Sequence, residues 1–137
     1  MAHSPEHTIR LRVRYAETDR MGIAHHSAYY LWFELCRTEH FRALGLPYTE
    51  LEERGVFLPV VEGHCRYRSG VGYDELISVT SRIVEARGAR IKIAYEVRDA
   101  RGRMAAEGWT VHARVGPDGR PGRIPEDVIK VCRGDSP

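Results

Sequence analysis

Cysteine is scarce in this 137-residue chain: Cys36, Cys65 and Cys132 stand far apart, form no C-x-x-C pair, and cannot all be matched within one molecule. That spacing argues against a disulfide framework and favours a reducing compartment, so the cytoplasm is the expected location. Nothing beside any of the three would activate a thiol, and each reads as a small buried hydrophobe. Long apolar runs are also missing. No stretch approaches the ~18 residues a membrane span needs, and Met-Ala-His-Ser-Pro-Glu-His at the start has no signal-peptide core. Charge of a single sign is missing too: 21 basic residues face 19 acidic ones, net +2, and they are scattered. A nucleic-acid binder would show a basic arm or stripe. Internal repeats and low-complexity segments are absent.

What is present is an ordinary globular composition, 42% hydrophobic and 29% charged, at a length that fits one core. A single domain spanning 1–137 is expected, with its core in 8–115 and with 1–7 and 116–137 as peripheral termini. Thr8 to Arg14 alternates apolar and basic side chains, placing Ile9, Leu11 and Val13 on one face of a strand. From 27 to about 44, Tyr29, Trp32, Phe33, Cys36, Phe41 and Leu44 recur at helical intervals. Ser27 is the candidate N-cap, and Gly45-Leu46-Pro47 the stop. Pro47 to Arg54 predicts a second, short helix ended by Gly55. Thereafter the period is two. Val56 to Arg68 reads as a strand broken near Pro59, followed by strands through Ile77–Val84 and Ile91–Arg98. A last strand is expected to carry Ala105, Glu107, Trp109, Val111, Ala113 and Val115 on one side. Arg87-Gly88, Asp99 to Gly102 and Pro117-Asp118-Gly119 supply the turns of an antiparallel meander. One long apolar helix with about five antiparallel strands is an α+β domain whose sheet must wrap the helix to bury it.

The chemistry concentrates in residues 16 to 34. Asp19 precedes a turn containing Gly22, then His25 and His26, then the aromatic helix. A helix start carries unpaired N–H groups and the positive end of the macrodipole, so it can hold a developing oxyanion beside that carboxylate. The bland reading of Asp19 is a turn residue bonding its own backbone. His25 and His26 have no third ligand at metal-type spacing, so no metal site is expected. Trp32, Phe33, Phe41 and Tyr30 read first as core or interface. Glu34, further along the helix, is the reserve carboxylate, and its bland reading is a partner for Arg37. Arg87, Arg90, Arg101 and Arg103 sit at strand ends where a phosphate could dock, or where turn charge is merely solvated.

Arg14-Tyr15, Glu17-Thr18-Asp19, Gly22, His26, Tyr29, Phe33-Glu34 and Arg37-Thr38-Glu39 form a pattern. Arg66-Tyr67-Arg68 and Tyr73-Asp74-Glu75-Leu76 support it. With these residues the chain resembles, over 8 to about 115, the hotdog-fold acyl-CoA thioesterases of the 4-hydroxybenzoyl-CoA thioesterase family, in particular the small bacterial branch linked to the Tol-Pal cluster. The resemblance implies a sheet wrapped around one central helix. It implies hydrolysis of an acyl-CoA to free acid and coenzyme A, with no cofactor beyond the coenzyme A carried by the substrate. Asp19 falls on the family's catalytic carboxylate, as nucleophile or general base. His26 falls at the oxyanion-binding helix entrance, and Gly22 and Tyr29 fall beside the substrate. Met21, His25 and Gly70-Val71-Gly72 depart from the pattern and would reshape the acyl pocket. A homodimer or homotetramer is implied, with coenzyme A or an acyl carrier protein bearing the acyl group. The competing expectations are a hotdog module that binds acyl-CoA or acyl carrier protein without turnover, and a His-led dehydratase or hydratase on the same fold.

Overall fold

The computed structural model describes residues 5–135, so residues 1–4 and 136–137 of the expected peripheral termini lie outside the described residues. Strands β1 (Glu6–Arg12), β2 (Val60–Tyr67), β3 (Leu76–Arg87), β4 (Arg90–Arg98) and β5 (Met104–Ala113) accompany helices α1 (Ala28–Ala43), α2 (Tyr48–Glu53) and α3 (Glu126–Cys132). The five strands form one antiparallel sheet in the order β1-β3-β4-β5-β2, leaving β1 and β2 as edges. This is the α+β, helix-in-sheet architecture expected.

The inner face follows from the period-two pattern. Ile77, Val79 and Ile83 of β3 and Ile91, Ile93, Tyr95 and Val97 of β4 are buried, and against them α1 lays Tyr29, Trp32, Phe33, Cys36 and Phe41. Phe33 stacks on Tyr95 with ring centroids 4.2 Å apart and planes at 8°. Trp32 and Phe33 are 0% exposed; truncating either to Ala would cost about 3–5 kcal/mol. The rest of the helix is less covered than its aromatic content suggested. Tyr30, Leu31 and Leu35 lie exposed on the protomer surface.

On β5 the set expected on one side is partly covered: Ala105 and Val111 are buried while Glu107 and Trp109 are half-buried, and the alternate set Ala106, Gly108, Thr110 and His112 faces the core. The reason is local. Gly108 leaves room for α1, because a Cβ there would collide with the His64 carbonyl and press to 3.1 Å from the Phe33 ring. Thr110 and His112 are tolerated inside because they are satisfied. Tyr95 Oη and Thr110 Oγ1 lie 2.7 Å apart, Thr110 Oγ1 and His112 Nε2 2.8 Å, and His112 Nδ1 is 2.9 Å from the Leu58 carbonyl. One expectation needs correction, and it concerns the tail beyond 115. Instead of lying peripherally, it buries Ile124, Val128, Ile129 and Cys132 in the core through α3.

Two histidines are wholly enclosed. His40, with Nδ1 2.8 Å from Ser81 Oγ, and His112 both have pKa values pushed down from 6.5 to about 4, chiefly by burial. The unfolded chain takes up these protons near pH 6.5 and the folded chain only near 4, so acidification favours unfolding across that window. The urea midpoint should therefore be flat above pH 6.5 and fall steadily between 6.5 and 4, and His112→Gln should shallow that slope.

Candidate active site at the entrance to α1

Between β1 and α1 the chain makes a 3-10 turn, Tyr15–Glu17, and then a small hairpin. Thr18 bridges Ala24, the Asp19 N–H donates to the Ile23 carbonyl (2.9 Å), and the His25 N–H donates to the Glu17 carbonyl (2.7 Å). Gly22 turns the hairpin at φ 80°, in the left-handed region that glycine adopts without a Cβ penalty, and its N–H closes back on the Asp19 carbonyl at 3.0 Å. The hairpin is tied to the sheet's connecting loop by the Ala24 N–H bonding Val71 O (2.8 Å) and by Ile23 bridging Gly72. Asp19 and the start of α1 therefore belong to one hydrogen-bonded unit.

The two predicted reacting groups are both uncommitted in part. Asp19 Oδ1 accepts the Met21 N–H at 2.7 Å, so the turn role weighed against catalysis is real. It fixes the carboxylate while Oδ2 has no partner among the described residues. Among the described residues the His26 N–H likewise finds no acceptor, although the peptide is held: Tyr67 donates its hydroxyl to the His26 carbonyl at 2.9 Å. Tyr29 packs edge-on to Tyr67 with centroids 4.9 Å apart, and to Trp32 at 4.7 Å. Burial, with the nearby Cys65 and Glu75, pushes the Tyr29 phenol up to about 12. Tyr67 is raised as well, by loss of hydration first and Cys65 next. Both rings stay protonated at neutral pH, so Tyr67 remains a donor.

Ser27 occupies the N-cap position but makes no cap bond from its side chain, a correction to the predicted cap. His25 takes over. Its Nδ1 accepts the Ser27 N–H at 3.2 Å and lies 2.8 Å from the Ser27 hydroxyl. The His25 and His26 rings lie 4.1 Å apart. Glu34 is exposed on α1, and among the described residues it forms no ion pair with Arg37. Arg103 is paired with Asp99 (3.0 Å) and Arg87 with Glu85 (3.3 Å). Arg87 and Arg90 line a 660 Å³ cavity with Trp109 and Lys92 on the outer face of the sheet. A 450 Å³ apolar cavity lies between α2 and segments 56–59 and 115–119. Neither cavity includes Asp19, Gly22, His26 or Tyr29. Asp19 itself stands exposed on the single protomer, in the same hairpin as exposed Met21 and Ile23.

Sequence reasoning missed Tyr67 and Glu17 as parts of this unit. Arg66-Tyr67-Arg68 carried only a weak resemblance, and nothing in the order of residues says that a tyrosine 41 positions away would meet His26.

Comparison with known proteins supplies the family. A model of the Thioesterase-like superfamily matches residues 13–131. The chain belongs to that superfamily, whose chemistry is thioester hydrolysis. Among its relatives is a Bacillus subtilis protein with the provisional name acyl-CoA thioesterase YneP, 33% identical over 102 residues, 74% of each chain. The structure of the hypothetical protein TT1821 from Thermus thermophilus superposes with a TM-score of 0.87 at 38% identity, covering 92% of this chain and 96% of that one. DHNA-CoA thioesterase from Staphylococcus aureus superposes at 0.83 with 29% identity, covering 86% and 80%.

If Tyr67 fixes the His26 peptide, Tyr67→Phe should leave the fold intact and lower kcat about three- to tenfold, in keeping with one hydrogen bond of ~1 kcal/mol. Steady-state kinetics beside a far-ultraviolet CD spectrum would check it.

Proposed function

We propose that the protein hydrolyses acyl-CoA thioesters to free carboxylic acid and coenzyme A. The observation that carries this reading is the pairing, on one hairpin-helix unit, of a carboxylate oxygen and a backbone N–H that the fold leaves unspent. The matched superfamily and the thioesterase name of YneP support it. Asp19 Oδ2 acts as base or as nucleophile. As base it takes a proton from water while the water oxygen bonds the thioester carbon. The carbonyl oxygen gains charge and is held by the His26 N–H at the positive end of the 16-residue helix α1. Collapse of the tetrahedral species breaks the C–S bond and expels the thiolate, a good leaving group that takes up the proton. As nucleophile, the same oxygen bonds the thioester carbon and displaces the coenzyme A thiolate, leaving a mixed anhydride that water cleaves to the free acid and the regenerated carboxylate, the released proton going to the thiolate. Gly22 holds the turn open to substrate, and Tyr29 walls the acyl group. The chain's own groups suffice for either route.

A single protomer leaves this site without a far wall. The open edge β2 presents the exposed residues Val60, Val61 and Tyr67 beside Tyr30, Leu31 and Leu35 of α1. An unpaired, apolar edge of this kind is satisfied by a second copy pairing through a two-fold axis. The working unit is accordingly a homodimer, or a tetramer of two such dimers, with the acyl group between protomers.

Two outcomes test the reading. Asp19→Asn should cut thiol release from a panel of short, long and aromatic acyl-CoAs at least about a hundredfold while CD and acyl-CoA binding persist; unchanged turnover would sink the assignment. Val61→Lys on the open edge should shift sedimentation toward monomer and take activity down with it.

A further inference from the structure

Glu17 is 6% exposed, one of two buried carboxylates among the described residues, and the reaction as written does not use it. The comparable buried acid, Asp99, explains itself locally: it bonds the N–H groups of Arg101 and Arg103 and the Arg103 guanidinium within one hairpin turn. Glu17 instead reaches across elements. Its Oε1 accepts the Arg14 N–H at 2.7 Å, where the chain leaves β1. Its Oε2 accepts the indole N–H of Trp32, in the second turn of α1, at 3.0 Å, and meets the Arg14 guanidinium at 3.3 Å. Its main-chain carbonyl accepts the His25 N–H at 2.7 Å. Two residues on stands Asp19, and one residue past His25 stands the His26 amide.

One residue thus fixes both arms of the site. The carbonyl closes the base of the hairpin that carries Asp19, and the carboxylate pins that base to the helix whose entrance offers the His26 N–H. Contacts continue the link from Trp32 through Tyr29 and Tyr67 to the His26 carbonyl. The structure assigns Glu17, through Trp32, as the positioning residue that sets the separation of Asp19 from the His26 amide; the assignment rests on the thioesterase reading above. A carboxylate suits the task because it can accept all three donors at once, and a buried indole N–H left unpaired would be costly. Glu17 does not touch substrate. Its loss should appear in kcat, which depends on alignment to within a fraction of an ångström, and leave KM alone.

The test uses the full chain. Glu17→Gln keeps one acceptor oxygen and two N–H donors, so it cannot satisfy Arg14 and Trp32 together. Trp32→Phe removes the indole donor and keeps an aromatic ring, which covers the case in which the Glu17 variant fails to fold. Each should lower kcat about tenfold or more with KM within about twofold, and the double variant should be no worse than the more damaging single one. In Glu17→Gln the indole N–H resonance of Trp32 should move in a nitrogen-proton correlation spectrum. Ile129→Val in α3, an unrelated core site, serves as the control for stability loss alone and should leave kcat unchanged. Full kcat in both site variants, or a kcat drop no larger than in an Ile129→Val control of matched melting temperature, overturns the positioning role. That failure is separate from failure of the function. If Asp19→Asn is inactive while Glu17→Gln turns over normally, only the positioning role falls; if Asp19→Asn retains thiol release, the function falls first.

Discussion

Everything in this fold follows from having to bury the aromatic side of one helix with a single sheet. Trp32 and Phe33 sit in consecutive positions and both are excluded from water, so α1 cannot lie flat on a surface that covers only one stripe. The sheet supplies the cover by curling, with β1 and β3 nearest the helix, β4 meeting it through Tyr95 on Phe33 and β5 at Gly108. Gly108 is the point at which the close approach is made, since any side chain there would push β5 away from Phe33. The polar groups that curl brings inside, Thr110, His112 and Tyr95 on one flank and His40 with Ser81 on the other, are bonded to each other. That is why burying them is tolerable.

Holding α1 by its middle leaves its start at the surface, and the start is where the chemistry is proposed. The segment leading into it cannot be packed by apolar contacts alone, because it must leave a carboxylate oxygen and an amide free. It is braced with hydrogen bonds instead: Glu17 beneath, Val71 at the side, Tyr67 across the helix entrance. The Met21 N–H on Asp19 Oδ1 belongs to the same bracing. A turn bond on one oxygen orients the other, so the structural and the catalytic readings of Asp19 describe two atoms of one group and do not compete.

How far the sequence reveals this depends on the range of the interactions. Helix α1 was legible to within a residue at either end, because its apolar spacing and the Gly45-Leu46-Pro47 stop are local. Strands β3 and β4 were legible for the same reason. On β5 the alternation of Glu107, Trp109 and Val111 was legible as one side, but not that Gly108, Thr110 and His112 opposite them face the core. Hydrophobicity misleads where a glycine is needed for clearance and where two polar groups satisfy one another. Helix α3 went unseen because Glu126 to Cys132 is only seven residues and its apolar positions gain meaning only against β3. At the site, Asp19, Gly22, His26 and Tyr29 could be nominated from one short pattern. Glu17 belonged to the same pattern without a role, since its function comes from Trp32, 15 positions on.

The exposed position of Asp19 bears directly on what the functional unit is. A carboxylate and an amide in open water are both solvated, and each would have to shed that water before acting on a thioester, which weakens the electrostatic advantage of placing them together. The same protomer carries an unpaired β2 edge whose last residue, Tyr67, is the one bonded to His26. Burying that edge under a second copy would therefore dry the amide's immediate surroundings and satisfy the strand at once. One event completes both the sheet and the site, so the catalytic geometry need not be enclosed by any loop of the chain that carries it.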